Sequence, residues 1–178
     1  MLLDKLIYYA LMNNDEILKV IAKTPEGIPL INRNRLPNAI YPAIEYHMIG
    51  GGDINYADDK VFYTRHTYQI TFYGDEDNYN AVEAGMVEAM RDIGFKVTHK
   101  YSLVNPYTYI THYVYHVQAR IEQTFYDHKL EIETKKYIER YGTEDIYDIP
   151  NGDYFDEDKE VNYVVVDGDE FYDEADFK

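Results

Sequence analysis

The chain contains no cysteine and no tryptophan. The first absence excludes disulfides, a thiolate nucleophile and a cysteine-based zinc site, and it leaves the redox compartment open. Basic residues are scarce: 17 Lys and Arg stand against 33 Asp and Glu, a formal net charge of −16. A field of that sign repels phosphate, so the chain lacks the basic footprint of a nucleic-acid binder. Long apolar runs are missing too. The opening MLLDKLIYYALMNND is interrupted at Asp4 and Lys5 and fits neither a signal peptide nor a membrane span, which suggests a protein that is cytoplasmic where it is made.

Tyrosine is what the chain has in excess, 21 residues against 7 Phe. Its hydroxyl needs water or a partner, so core and surface share an amphipathic aromatic of the kind common at protein interfaces. With 178 residues and 46% hydrophobic content, one two-layer domain is the simplest expectation. The acidity is unevenly placed. Residues 1–142 hold 19 acids and 15 Lys and Arg, whereas residues 143–178 hold 14 acids and 2 lysines. The expected division is therefore an assembly domain, 1–142, and an acidic, aromatic-rich extension, 143–178.

Residues 60–96 contain both hydrophobic periods in one run. From Phe62 the even positions are Phe62, Thr64, His66, Tyr68, Ile70 and Phe72, and the odd ones are Tyr63, Arg65, Thr67, Gln69 and Thr71. That is the period of two of a half-buried antiparallel strand. After Gly74, the acidic stretch Asp75, Glu76, Asp77 and Asn78 supplies acceptors for the free N–H groups of a helix start. Tyr79, Val82, Met86, Ala89, Met90 and Ile93 then recur in steps of three and four, one helical stripe. Gly94 should end this helix in a left-handed conformation, with Phe95 placed to touch Met90.

Elsewhere the elements are read more coarsely. Residues 2–12 form a first helix, and a short second one follows Asp15 as N-cap. Thr24 to Asn38 carries Pro25, Gly27, Pro29 and Pro37 and reads as an extended linker. A strand over Ala39–Ile49 places Ile44, Tyr46 and Met48 on one face. Gly50 to Asp59 reads as a loop at a hairpin tip. Val97, His99, Tyr101 and Leu103 form the apolar face of a further strand, and the longest strand follows from Tyr109 to Ile121. Residues 129–141 form a third helix with Leu130, Tyr137, Ile138 and Tyr141 inward. The fold class is α+β: an antiparallel sheet of about four long strands packed by two or three helices, with the acidic C-terminal extension.

Site chemistry is sparse. Three glycines at 50–52 could cradle a phosphate, but strands flank them and no Lys-Ser/Thr follows. His112 and His116 share a strand face yet stand about 13 Å apart, too far for one zinc ion. His66 and His99 fall on apolar faces, as core histidines do. The acidic runs DGDE and DEDKE lack the ligand register of a calcium loop. No nucleophile elbow, kinase set or dinucleotide fingerprint occurs. The expectation is no enzyme, no cofactor and no metal. Candidate partner-binding residues are Asp53, Ile54, Asn55 and Tyr56 in the Gly50–Asp59 loop, and Val164, Val165 and Val166 in a segment able to dock as a strand on a neighbour.

The order of parts over about residues 1–125 resembles the tail terminator, or tail-completion, proteins of tailed bacteriophages. The resemblance rests on Tyr41-Pro42, the Tyr68–Phe72 alternation, the Met90–Phe95 helix end with Gly94-Phe95, and the final strand through Tyr115, His116 and Arg120. It implies an antiparallel sheet packed by helices, a hexameric ring on the last ring of the tail tube, and docking to the head connector. Partners would then be further copies of the chain, the tube protein and the connector or neck, with DNA passing through the lumen unbound, no membrane, and a place in the virion after assembly in the host cytoplasm. The long strands and the segment after residue 126 depart from that pattern. Two other readings stand beside it: a head-to-tail connector or neck protein, and a small acidic monomeric inhibitor or regulatory protein.

Overall fold

A computed structural model describes residues 2–34, 40–57, 60–121 and 123–142, with side chains given for all of these except Leu2, 53–63, 121, 123 and 124. The fold is α+β, and the described residues form a five-stranded mixed sheet packed by four helices. The elements are α1 (Leu2–Met12), α2 (Asp15–Val20), β1 (Ile31–Arg33), β2 (Ala43–Ala57), β3 (Lys60–Gly74), α3 (Glu76–Asp92), β4 (Lys96–Val104), β5 (Thr111–Ile121) and α4 (Gln123–Tyr141). The sheet order is β1-β2-β3-β5-β4. Four strands are long and each runs antiparallel to its neighbours among them, and β1 pairs parallel to β2.

The period-two residues of β3 divide as read from the sequence. Tyr68, Ile70 and Phe72 are buried under the helices, opposite Val117, Tyr115 and Tyr113 of β5. Ile44 and Tyr46 continue that face on β2, both 0% exposed. The helical stripe of α3 lies on it: Tyr79, Val82, Met86, Ala89 and Met90 are buried, and the Phe72 and Tyr79 rings are 6.2 Å apart. Asp75 is the N-cap, accepting from the Asn78 amide at 2.8 Å. Gly94 has φ +86°, and the amides of Gly94 and Phe95 donate to the carbonyls of Arg91 and Met90, both at 2.9 Å. Those two bonds are the Schellman pair, and they turn the chain sharply enough for β4 to begin at Lys96.

Several sequence expectations need correction. The Pro-rich stretch is not wholly linker, because Ile31–Arg33 forms β1 and the Asn34 amide extends its ladder to the Tyr46 carbonyl at 2.9 Å. The N-cap of α2 is Asn14, not Asp15: its side-chain oxygen accepts from Glu16 N and Ile17 N at 3.1 and 3.2 Å. The last helix starts at Gln123, a turn and a half before residue 129. It packs on α1 through Tyr137, whose ring centroid lies 4.5 Å from that of Tyr9, and Tyr126 and Tyr137 are both buried. Tyrosine fills much of the core: Tyr8, Tyr9, Tyr46, Tyr68, Tyr73, Tyr79, Tyr115, Tyr126 and Tyr137 are all buried. The excess of tyrosine is thus shared between core and surface.

Candidate functional site

Among the described residues there is a shallow groove of about 340 Å³ along one side of α4, lined by Asp127, Leu130, Glu131, Thr134, Lys135 and Ile138. A single helix supplies all of its walls, so no set of polar groups converges there from different elements. No cluster of three or more potential metal ligands occurs among the described residues. Two of the histidines do meet: His99 and His116 are directly opposed across β4 and β5 with rings 5.9 Å apart. The features that stand out are surfaces.

The first is the β2–β3 hairpin. Both strands are 15 residues long. Residues Gly50–Ala57, read from the sequence as a loop, are strand paired to β3, and Asp53, Ile54, Asn55 and Tyr56 lie in β2 rather than in a tip loop. The glycines serve as bulge positions: the register slips between Met48 and Gly50 and again between Gly51 and Asp53, and Gly52 takes φ +103°, which L side chains rarely adopt. β5 ends its pairing at Ile121 opposite Thr64. Past that level only β2 and β3 continue among the described residues, so residues 55–57 and 60–63 form a two-stranded finger projecting from the sheet. Met48 and Ile49, at the first bulge, are 43% and 44% exposed.

The second surface is the β4 edge with the turn that follows. Tyr101, Leu103, Val104, Tyr107 and Tyr109 are all exposed, Tyr109 to 81%. Single exposed apolar residues need no explanation, but five together along one edge and its turn form an exposed apolar patch of the kind found at interaction sites. The turn that presents the two tyrosines is fixed. Asn105 Oδ1 accepts from the amides of Tyr107 and Thr108 at 2.9 and 3.3 Å, and the Tyr109 amide donates to the Asn105 carbonyl at 2.9 Å. Tyr109 sits at φ +58°, a strained conformation for a bulky residue that these bonds hold in place. β4 itself is tied to the helix layer by an ion pair between Lys100 and Glu83, which draws the Glu83 carboxyl below its ordinary range. The Lys100 ammonium also lies 5.8 Å from the centroid of Tyr79, whose ring stacks on Tyr113 at 3.7 Å.

His99, Tyr101 and Leu103 do not face the core, contrary to expectation. A register slip between Val97 and His99 inverts the alternation, so that these three side chains join the sheet face away from the helices. That face also carries Glu45, His47, Gln69, Thr71, Tyr73, His112, Val114, His116 and Gln118. Tyr73 donates to Glu45 at 2.9 Å, and its ring meets that of His112 edge-on at 4.6 Å. Burial lowers the His112 pKa, against the pull of Glu45. His66, on the helix side, is half-buried, bonds Thr64 Oγ1 at 2.8 Å, and is likewise pushed down by burial.

No protein-family model and no curated protein matches the chain. Val164, Val165 and Val166 lie outside the described residues, so only the β2 part of the expected partner-binding set can be placed, and there by backbone alone. The strand after α3 and a turn at Asn105-Pro106 are legible in the sequence, but not that together they form an exposed apolar surface. Its signal was present in the run Leu103–Tyr109, which puts four large apolar side chains around Asn105-Pro106.

Proposed function

We propose that this chain is a virion structural protein: a tail terminator that caps the tail tube as a ring and joins the tail to the head connector. The observation that carries the reading is a compact α+β body whose distinctive features are open sheet edges and a projecting hairpin. An assembly subunit needs rigid, directional contact surfaces of that kind. The sequence resemblance supplies the specific place in the virion, and the helix end at Gly94-Phe95 that helps to carry it is a formed structural element. The reading assigns the chain no catalysis and no cofactor. Its partners are further copies in a hexameric ring, the tube protein and the connector, in a virion assembled in the host cytoplasm. DNA passes without being bound.

The test is mass measurement of the full chain alone and mixed with tube subunits, with electron microscopy of tube ends. A ring on one end of each tube is expected. A ring that binds only the capsid-side connector would instead favour a neck protein. The concentration of 14 acids in residues 143–178 favours one further reading, an acidic inhibitor, and a monomer indifferent to tube subunits would point there.

A further inference from the structure

The sheet ends in two different open edges. β4 is the outermost strand on one side and pairs only with β5 among the described residues. On the other side β1 covers β2 only at Ile44, Glu45 and Tyr46. From His47 to Ala57, β2 has no described neighbour on its outer side. Proteins usually blunt open edges with charge, bulges or short strands. On β2 two bulges, between Met48 and Gly50 and between Gly51 and Asp53, bend this edge without closing it, whereas on β4 the lysine midway along, Lys100, is held back against Glu83 of α3; the exposed residues near both edges are apolar, Leu103 and Val104 at 55% and 60% on β4, Met48 and Ile49 at 43% and 44% on β2.

We infer that β4 of one copy pairs with the free half of β2 in the next copy, head to tail. The two edges run in opposite directions, because β2 is antiparallel to β3, β3 to β5 and β5 to β4. A copy added in the same orientation therefore presents β2 antiparallel to β4, the common pairing. The contact joins unlike surfaces, so it repeats around a ring if the rotation closes and along a filament if it does not. Both halves of the interface lie on this one chain, which is the argument for a second copy as the occupant.

The geometry also fixes a stagger. Ser102 of β4 stands level with Ile44 through Tyr113 and Phe72. The free half of β2 begins only after Tyr46, so bringing Lys100–Val104 against residues 48–52 shifts the next copy by about six residues, roughly 20 Å at ~3.3 Å per residue. Across the four strands from β2 to β4 that each copy adds, about 4.8 Å apart, that shift tilts the strands by about 45°, the upper end of the range at which sheets close into barrels. The turn carrying Tyr107 and Tyr109 then falls against the β1 end of the next copy.

The inference rests on the ring reading for closure alone; the contact itself is independent of it. The experiment uses two full-length variants, Leu103→Lys/Val104→Lys and Met48→Lys/Ile49→Lys, all at exposed positions, checked by thermal melting and sized by native mass spectrometry at micromolar concentration. Each variant alone should lose the oligomer, and an equimolar mixture should stop at a one-to-one heterodimer joined through the two intact edges. A ring unaffected by either variant would overturn the contact while leaving the ring reading intact. Self-dimerisation of the β2 variant would show like-with-like β4 pairing and overturn it as well, as would a mixture of folded variants that stays monomeric. Wild-type chains of many lengths, abolished by either variant, would uphold the contact and refute the closed ring. A wild-type chain that remains monomeric would refute both.

Discussion

The short strand β1 decides how much of the β2 edge stays open, and it is anchored by one buried group. Asp4 of α1 is 3% exposed, accepts from the Tyr68 hydroxyl of β3 at 2.9 Å, and pairs with Arg33 of β1 at 3.2 Å. One partner of the pair is thus deeply buried, while the Arg33 side chain keeps 36% of its exposure. Fully exposed pairs contribute about 0.2–1 kcal/mol, and breaking a fully buried pair costs about 3–5 kcal/mol. This pair falls between, and a coupling of about 1–2 kcal/mol is expected. Arg33→Met and Asp4→Asn, singly and combined, form a double-mutant cycle readable by urea denaturation. Tyr68→Phe, which removes one hydrogen bond to a charged group, should cost about 1.5–3 kcal/mol by itself. A cycle coupling below about 0.3 kcal/mol would refute the account, since β1 would then be held by its ladder with β2 and not by Asp4. Arg33→Met should also raise hydrogen exchange at Ile44–Tyr46 more than at Ile70–Phe72.

Three further outcomes follow from other parts of the molecule. Gly94→Ala should destabilise by about 1–2 kcal/mol through its positive φ and the approach of the added Cβ to Phe125 at 2.9 Å, and Gly27→Ala, at the same φ of +86° with nothing within 4 Å, should cost less; equal melting shifts would discount the Phe125 contact. Because burial lowers the pKa of His66 and His112, the unfolded chain binds more protons as pH drops below 6.5, so stability should fall from there toward pH 5 and a His66→Gln/His112→Gln variant should show a flatter melting profile. Truncation after Gly142 should leave the melting transition of the body in place, given that residues before it already supply a buried cluster running from Leu3 to Tyr137, while reducing ring formation or tube capping; a truncated chain that no longer folds, or one that assembles unchanged, would each exclude a role for the acidic segment in assembly alone.

What could be read from the sequence was what a few adjacent residues decide. The start of α3 at Asp75 and its end at Gly94 are local events, a carboxylate capping an amide three residues on and a glycine taking a conformation that other residues resist. The alternation of β3 is equally local, and it correctly divided Tyr68, Ile70 and Phe72 from Gln69. β1 could not be found that way. Its three residues sit among prolines and are ordered by Asp4, some thirty residues before, and by β2, a dozen residues after. Gly50–Gly52 misled for a related reason: glycine-rich composition suits a loop and a doubly bulged strand alike, and only the partner strand β3 distinguishes them.

The candidate surface was hidden by a single extra residue. The sequence of β4 alternates cleanly, and without a bulge Val97, His99, Tyr101 and Leu103 would all lie beneath α3, leaving lysines and serine on the outside. The slip between Val97 and His99 reverses the phase after the first turn of pleat. Val97 stays packed against the core, Lys100 swings to Glu83, and Tyr101 and Leu103 move to the uncovered face. A residue-count change of one therefore converts a strand that would close the core into one that offers apolar side chains to a neighbour, because the side-chain period of a strand is two. Which edge of the sheet this strand occupies is set by the order β3-β5-β4, a long-range choice that no local pattern encodes. Sequence alternation thus specified that β4 had an apolar face, and the fold decided that this face would look outward, beside an edge free to pair.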